Sequence, residues 1–368
     1  MIIEKIELAN FKNYTRAEID FSARVNCFVG SNGAGKTNIL DALYYLSFCK
    51  SYFNPVDSQN IKRGEEYFRI SGVYRKNGTS PDNLQVLMKR NHRKQFKRNN
   101  KEYDRLADHI GLYPLVMITP SDNGLIHHGS EERRKFIDGI ISQFDKNYLN
   151  VLLQYNKALQ QRNSLLKSFA EKGNYDPLSI DIWDQKLIRL APQIQDARQS
   201  FVDSFIPVFE KYFRFIAGSN ENATLKFESQ LNKSSMEDLL KQNSDKDRIL
   251  KYTTVGPHKD DFDFEINDFP LKKFGSQGQQ KSFVVAAKLA QYEHIKNVKG
   301  YNPIILMDDI FDKLDQKRVE QIMVLVSENN FGQIFITDTQ QERVEAAFEN
   351  INTDKRFFYV ENAELSRL

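Results

Sequence analysis

The stretch FVGSNGAGKTNILDALYYL, Phe28 to Leu46, decides the fold. Its loop, Gly30 to Thr37, fits the pattern G-x-x-x-x-G-K-[S/T], in which glycines let backbone N–H groups turn toward phosphate oxygens. An apolar run typical of a buried strand precedes the loop, and apolar residues recur at helical spacing after it. Strand, loop and helix therefore occur in the order that a nucleotide-binding phosphate loop requires, although an ordinary glycine-rich turn is an alternative.

The residues of this loop have separate chemical roles. The helix dipole adds positive potential, Lys36 reaches the β and γ phosphates, and Thr37 offers a hydroxyl to Mg2+. We therefore expect ATP and Mg2+ as cofactors. The predicted nucleotide-binding residues of the loop are Gly30, Ser31, Asn32, Gly33, Ala34, Gly35, Lys36, Thr37 and Asn38.

A second motif, NPIILMDDIFDKLD at Asn302 to Asp315, is an apolar strand that ends in two acids, as a Walker B strand does. Asp308 is expected to hold Mg2+ through water, and Asp309 to orient the attacking water. Lys36, Asp308 and Asp309 are accordingly the predicted catalytic residues. The following FDKLD, Phe311 to Asp315, has the spacing of a D-loop; a surface acid pair after a core strand is the alternative.

Asp308 lies 272 positions after Lys36, although their two strands must belong to one sheet. Most of the intervening chain is therefore an insertion, and it carries helical periodicity from about Glu131 to Gly218. These helices look short and lack a sustained heptad repeat, which favours a compact lobe over a coiled-coil arm. We predict an α/β ATPase head of residues 1–128 and 270–368, with an inserted, mainly helical lobe at 129–269.

The segment SQGQQ, Ser276 to Gln280, comes 32 positions before Asp308. Ser276 is expected to cap a helix, and a capped helix N-terminus favours anions. The segment resembles the signature motif of ABC-type ATPases, whose serine and glycine contact the γ-phosphate held by another subunit. A plain capped helix is the alternative. The predicted nucleotide contacts are Ser276, Gly278 and Gln279.

Composition permits a nucleic-acid partner without demanding one, since 52 Lys and Arg against 49 Asp and Glu leave a net charge of +3. Cys27 and Cys49 match no metal or redox spacing and are expected to be buried. The N-terminus does not read as a signal peptide, and no apolar run of about 18 residues occurs. We therefore expect a cytoplasmic protein without a membrane partner.

A basic segment, KRNHRKQFKRNNK at Lys89 to Lys101, holds seven Lys or Arg in 13 residues and is typical of a hairpin. Such a rim can contact DNA phosphates without reading bases, but a solvated charged hairpin is the alternative. Arg133 and Arg134 are further candidates, with pairing to Glu131 or Asp138 as the competing interpretation. The predicted DNA-binding residues are Lys89, Arg90, Arg93, Lys94, Lys97, Arg98, Arg133 and Arg134.

From end to end the chain resembles the RecF family of bacterial recombination mediators, which are head-only relatives of the SMC and ABC ATPases. The resemblance adds Lys12 and Asn13 to the expected nucleotide-binding residues. Besides the three motifs above, it rests on LANFKNY at Leu8 to Tyr14, MITPSDNGLIHHGSEERRKFIDG at Met117 to Gly139, YNKALQQRNSLLK at Tyr155 to Lys167 and TTVGPHKDDFDFEIND at Thr253 to Asp268.

The resemblance implies an ATP-driven head-to-head homodimer, in which Lys36 of one chain and Ser276 of the other grip one nucleotide. It also implies that the dimer clamps DNA at single-strand to double-strand junctions and, with RecO and RecR partners, helps load recombinase in repair and replication restart. Asp309 replaces the usual catalytic glutamate, and Thr337 and Asp338 stand where a switch histidine is usual, so we expect weak hydrolysis coupled to dimer dissociation. An ATP-gated switch with negligible turnover and a transporter ATPase are the alternatives.

Overall fold

The computed structural model describes residues 1–76, 78–218, 221–310, 316–327, 331–349 and 353–367. The chain divides into two compact units, the first made of residues 1–122, 212–219 and 281–368 and the second of 123–211 and 220–280. The boundaries that we predicted from sequence differ, because residues 123–128 and 270–280 belong to the second unit and 212–219 to the first. No helix in the described ranges is long and apolar enough to cross a membrane.

The strands and helices are numbered in chain order. The strands are β1 (Ile2–Phe11), β2 (Tyr14–Asp20), β3 (Val25–Val29), β4 (Tyr67–Arg75), β5 (Asp82–Lys89), β6 (Gln95–Arg98), β7 (Lys101–Glu102), β8 (Leu115–Ile118), β9 (Ala223–Glu228), β10 (Asp261–Ile266), β11 (Phe269–Pro270), β12 (Ile304–Met307), β13 (Ile334–Asp338), β14 (Lys355–Glu361) and β15 (Glu364–Arg367). The α-helices are α1 (Lys36–Phe48), α2 (Gly124–His127), α3 (Ser130–Phe144), α4 (Lys146–Lys172), α5 (Pro177–Ala217), α6 (Met236–Gln242), α7 (Ser244–Leu250), α8 (Leu271–Phe274), α9 (Gln277–Lys299), α10 (Gln316–Ser327) and α11 (Gln341–Phe348).

The parallel sheet of the first unit has the order β15-β14-β3-β13-β12-β8, with only β15 antiparallel to its neighbour. Every residue of β3, β8, β12 and β13 is buried, as expected for parallel strands covered on both faces. In the register, Val29 lies opposite Asp338, and Met307 lies opposite Ile118. The carboxyl ends of β3, β13, β12 and β8 therefore meet at one edge of the sheet.

The other sheet of the first unit is antiparallel, in the order β2-β1-β4-β5-β6-β7. Alternate residues of β4 are buried, so one face packs into the core and the other faces solvent. Helix α1 contacts strands of both sheets, and its Leu40, Leu43 and Leu46 are completely buried. The predicted hairpin is confirmed, because β5 and β6 pair with Gln85 opposite Lys97.

The second unit is mainly helical but also contains a sheet in the order β11-β10-β9, which helical periodicity did not predict. The expectation of short helices is wrong for α5, which runs for 41 residues with Pro192 and Pro207 inside it. Helix α4 ends at Gly173, whose φ of +65° is a conformation that glycine adopts without strain.

Two of the segments that carry the RecF resemblance, Tyr155 to Lys167 and Thr253 to Asp268, contact each other in this unit. Arg162 donates to Asp247 at 2.6 Å and to Thr253 at 2.9 Å, and the amide oxygen of Asn163 accepts from the backbone N–H of Thr253 at 2.8 Å. Arg162 and Thr253 are almost completely buried. These segments therefore form one of the buried polar networks of the unit, since buried polar groups need such partners.

Candidate functional site

The phosphate loop lies between β3 and α1 and depends on two close backbone approaches. Gly30 has φ of +148°, and a Cβ placed there would come within 2.2 Å of the carbonyl oxygen of Val360 in β14. Gly35 has φ of +120°, and its Cβ would lie 2.8 Å from both Asn13 Nδ2 and Tyr14 Oη. Larger residues would displace the loop at both positions, which explains the spacing of the glycines.

Lys36 begins helix α1 and is almost completely buried. Its Nζ donates to the carbonyl oxygens of Gly30 at 2.7 Å and Ser31 at 2.8 Å. Burial lowers the pKa of Lys36, and the nearby carboxylates of Asp309 and Asp308 oppose that effect. The ammonium group of Lys36 therefore lies against the backbone of the loop that the motif predicts to bind phosphate.

Asp308 follows β12 and brings the two predicted motifs together. Its Oδ1 accepts hydrogen bonds from the hydroxyls of Thr37 at 2.8 Å and Thr337 at 2.7 Å. Burial raises the pKa of Asp308, while the two hydroxyl donors oppose the rise. The side-chain oxygens of Thr37 and Asp308 thus lie side by side, and hydroxyl and carboxylate oxygens are the donor types that Mg2+ prefers.

Asp309 adopts φ of +47°, a left-handed conformation that few residues other than glycine, asparagine and aspartate tolerate. Its backbone N–H donates to the Thr337 hydroxyl at 3.0 Å. Thr337 therefore binds both acids, one through the side chain and one through the backbone. The D-loop predicted at Phe311 to Asp315 lies outside the described residues.

Exchanging each acid for its amide should separate their roles. Asp309→Asn preserves the backbone, because asparagine also tolerates positive φ, so nucleotide binding should persist while turnover falls about a hundredfold. Asp308→Asn should weaken nucleotide binding itself, because it removes a charge from the Mg2+ site. Calorimetric titration with Mg-ATP and a phosphate-release assay measure the two effects. Wild-type turnover in Asp309→Asn would assign the water to another group.

The turn between β1 and β2 supports the loop from outside. Asn13 donates to the carbonyl oxygen of Ala34 at 3.2 Å and accepts from Asn38 at 2.8 Å. Lys12 forms an ion pair of 2.6 Å with Asp41, whose carboxylate is completely buried on α1. Both residues expected from the resemblance therefore lie next to the loop and helix, with Lys12 engaged by Asp41.

Residue Asp338 behaves differently from its neighbour Thr337. Its buried carboxylate forms an ion pair with Arg343 of α11 at 2.7 Å and accepts from the backbone N–H of Gln340 at 2.7 Å. The sequence indicated Thr337 only as a residue at the switch position, and its contacts with the side chain of Asp308 and the backbone of Asp309 were not predicted. The signal was available in part, because a polar residue at the carboxyl end of a parallel strand faces the edge where ligands bind.

Ser276 precedes the 23-residue helix α9 and forms a capping box with Gln279. The hydroxyl of Ser276 accepts from the N–H of Gln279 at 3.2 Å, and Gln279 Oε1 accepts from the N–H of Ser276 at 2.7 Å. Ser276 is exposed, and Gly278 is half-buried in the first turn. The predicted cap is confirmed, whereas contact with a nucleotide stays a prediction.

The basic hairpin contains cations of two kinds. Lys94 is largely buried and bonds to Asp57 at 2.7 Å, and Arg98 forms a bidentate ion pair with Asp82 at 2.9 and 3.0 Å. Lys94 thus binds the hairpin to a residue outside it, whereas Arg98 links β6 to β5 within the hairpin. Lys97 is half-buried, and the exposed predicted DNA-binding residues of the hairpin are Lys89, Arg90 and Arg93.

Arg133 and Arg134 bind other groups directly than the Glu131 and Asp138 of the competing interpretation, although both acids lie close enough to Arg134 to attract it electrostatically. Arg133 forms a bidentate ion pair with Asp261, with both distances at 2.8 Å. Arg134 donates to the carbonyl oxygen of Asp260 at 2.6 Å and to the hydroxyl of Ser130 at 2.7 Å. Both cations thus link α3 to the segment that begins β10, which weakens their standing as DNA contacts.

Comparison with known proteins shows the family to which the chain belongs. The model of the RecF/RecN/SMC N terminal domain matches residues 2–357. The DNA replication and repair protein RecF of Bacteroides fragilis is 46% identical over 368 residues, which cover all of this chain and 99% of the relative. The chain belongs to the RecF family. Its relative in Flavobacterium johnsoniae, also named RecF, is 48% identical over 97% of this chain and 99% of its own.

Solved structures agree with this assignment. A structure of the recombination mediator protein RecF with ATP, described as part of the RecFOR pathway, has a TM-score of 0.90 at 29% identity and covers all of this chain and 97% of its own. The Smc head domain of Pyrococcus furiosus has a TM-score of 0.60 at 17% identity, covering all of this chain and 96% of its own, which shows a shared fold. The predicted fold class, an SMC and ABC-type ATPase head with an insertion, is confirmed.

Proposed function

We propose that this RecF-family protein binds Mg-ATP, dimerises head to head around it, and acts on gapped DNA as a recombination mediator. The observation that carries the proposal is the oxygen cluster of Thr37, Asp308 and Thr337, with bonds of 2.7 and 2.8 Å, beside the buried cation of Lys36. A phosphate loop, an acid that binds the metal ion and a residue that orients the attacking water are among the parts that phosphoryl transfer uses. The solved RecF relative with bound ATP supports the same ligand.

Mg2+ belongs to this proposal because the residues present suit it. Thr37 supplies a neutral hydroxyl and Asp308 a carboxylate, and Mg2+ completes its octahedron with phosphate oxygens and water. The ion would neutralise phosphate charge and so offset the cost of bringing ATP close to Asp308 and Asp309.

The dimer is proposed from the position of Ser276. Its side chain is exposed at the start of a long helix, where the dipole and the backbone N–H groups favour an anion. A γ-phosphate presented by a second copy of the chain is an anion of the required kind. One nucleotide would then be held by Lys36 of one protomer and Ser276 of its partner.

Light scattering tests the central claim. The mass in solution should correspond to a monomer without nucleotide and with ADP, and to a dimer with a slowly hydrolysed ATP analogue and Mg2+. Removing Mg2+ with a chelator should return the dimer to monomer. A mass that does not depend on nucleotide would overturn the proposed switch.

The rate of ATP hydrolysis distinguishes this proposal from a second candidate function, an ATP-gated switch with negligible hydrolysis. Asp309 is one methylene shorter than glutamate, and Thr337 offers a hydroxyl where a histidine is usual, so the attacking water is held less firmly. We propose weak hydrolysis that dissociates the dimer and releases DNA. Phosphate release measured with and without gapped DNA separates the two, because the switch alone produces none above background.

The DNA contact is proposed for exposed cations of the first unit. Lys89, Arg90 and Arg93 are exposed in the hairpin. Two further exposed cations lie on the solvent face of the same sheet. Arg16 of β2 and Arg69 of β4 both lie opposite Ala9 of β1, one on each neighbouring strand. Contacts from such side chains to phosphates would provide affinity for any sequence, which suits a protein that acts wherever a gap occurs.

Reversing Lys89, Arg90 and Arg93 to Glu should weaken DNA binding at least tenfold. The slope of log K against log salt concentration should become shallower, by about one unit for each phosphate contact that is lost with a cation. Fluorescence anisotropy over a salt series, with ATP analogue present, measures both. Lys94 and Arg98 are left intact because their ion pairs support the fold.

The matched control reverses three exposed lysines of the second unit, Lys172, Lys246 and Lys251, with the same change in net charge. It should leave the affinity and slope near those of the wild type. An equal loss of affinity in both triple variants would show that the effect comes from net charge alone. An unchanged affinity in the hairpin variant would show that the hairpin does not contact DNA.

RecO-type and RecR-type proteins are the proposed partners, supported by the relative's place in the RecFOR pathway. With them, the closed dimer would help load recombinase during the response to DNA damage and the restart of replication. A role on chromosomal DNA also supports the inference that the protein acts in the cytoplasm. Co-purification with each partner, with and without ATP analogue, tests this assembly.

A further inference from the structure

The segment after helix α1 is bound to that helix through a buried acid. Asp41 of α1 is completely buried, and its Oδ1 accepts from the backbone N–H of Tyr52 at 2.7 Å. Its Oδ2 accepts from the hydroxyl of Ser51 at 2.6 Å and pairs with Lys12 at 2.6 Å. The backbone at Tyr52 is therefore fixed to the helix that begins at Lys36.

The side chain of Tyr52 reaches a second buried group. Its hydroxyl donates to Asp122, which follows β8, and Asp122 forms an ion pair of 2.8 Å with Lys288 of helix α9. Lys288 and Asp122 are 5% and 8% exposed, so water screens their pair only weakly. Burial beside Asp122 raises the pKa of Tyr52 well above its ordinary value, which keeps the phenol protonated as a donor.

These contacts connect the two helices that the proposed function requires. Helix α1 begins at the lysine of the phosphate loop, and helix α9 is the one capped by Ser276. All members of the connection, from Lys12 to Lys288, belong to the first unit. Ion pairs in such surroundings are costly to leave half-formed, so the network favours one arrangement of its members.

We propose that Tyr52 and Lys288 are positioning residues that couple nucleotide binding at α1 to the signature helix α9, and thereby to capture of a second copy of the chain. Neither residue contacts the nucleotide in this proposal; both bind Asp122, and Lys288 also donates to the Tyr52 hydroxyl at 3.4 Å. The inference rests on the proposed ATP-driven dimer. It adds that nucleotide binding at the phosphate loop of one protomer positions helix α9 of the same protomer, which the partner then contacts.

The test measures ATP-analogue affinity and dimer dissociation separately. Affinity is measured in a Ser276→Arg background, which is expected to remain monomeric, and dimerisation by light scattering over a concentration series. Tyr52→Phe keeps the buried ring but loses a hydrogen bond to a charged group. It should leave the affinity within about twofold and weaken the dimer about tenfold or more.

Conservative and matched variants separate positioning from general loss of structure. Lys288→Met should weaken the dimer as Tyr52→Phe does, Lys288→Arg should restore most of it, and the double variant should lose less than the product of the single effects. The control is Tyr292→Phe on the same helix, whose buried hydroxyl accepts from the N–H of Gly332 at 2.7 Å. It should dimerise like the wild type.

Three results would overturn the coupling. They are an unchanged dimer in Tyr52→Phe, an equal weakening in Tyr292→Phe, and a parallel loss of nucleotide affinity and dimerisation. A wild-type chain that fails to dimerise with ATP analogue would instead overturn the proposed function, so the two failures are distinguishable.

Discussion

A Lys36→Met chain is expected to lose ATP binding, ATP-dependent dimerisation and ATP-dependent DNA binding together. The Nζ of Lys36 is buried at the loop, 2.7 Å from the carbonyl oxygen of Gly30. A cation from solvent would have to lose its hydration to take this position, so it would not replace the lysine. Methionine keeps the length and the helix but removes the charge that faces the β and γ phosphates. Affinity should fall about a hundredfold or more, since each hydrogen bond between charged groups is strong.

Calorimetric titration, light scattering and anisotropy measure the three losses on one preparation. Lys94→Met is the matched control, because it removes another largely buried ammonium, held by Asp57 and by the carbonyl oxygen of Cys49 at 2.5 Å. That variant should retain ATP binding and dimerisation. Dimerisation of Lys36→Met with ATP would show that the phosphate loop is not the switch.

Replacing Ser276 with Arg should abolish dimerisation and hydrolysis while monomeric ATP binding survives. The exposed side chain sits where the partner's γ-phosphate is expected to dock, and arginine adds bulk that keeps the second chain away. The variant leaves the phosphate loop of its own chain intact. Loss of the cap costs about 1 kcal/mol, too little to unfold a chain of this size.

The chain offers a close control in Ser235, which caps α6 by accepting from the N–H of Asp238 at 3.1 Å and is also exposed. Ser235→Arg should lose a comparable cap and still dimerise. Dimerisation of Ser276→Arg would show the signature assignment to be wrong.

Sequence reasoning succeeded where function depends on near neighbours in the chain. The order of strand, loop and helix around Gly30 to Thr37 and the cap at Ser276 both follow from spacing within one turn or helix. Such local rules fix backbone geometry before any tertiary contact forms, so a motif is enough to predict them.

It succeeded less well where a side chain has several possible partners. Lys94 and Arg98 belong to one run of charge, yet their partners Asp57 and Asp82 lie 37 and 16 positions away and bring them out of full contact with solvent. A charge run specifies how many cations a segment carries. It does not specify which of them remain exposed, because that depends on acids brought close by the fold.

Local spacing was enough to predict the phosphate loop, the acid-ended strand and the capped helix, and the 272 positions between Lys36 and Asp308 were enough to predict an insertion. Only the tertiary structure decided that Thr337 joins Thr37 on Asp308, that Tyr52 connects α1 to Asp122, and that Arg133 is engaged by Asp261. Those contacts join residues that lie between 29 and 271 positions apart in the chain. Partner choice over such separations is set by packing of the whole unit, and no local pattern encodes it.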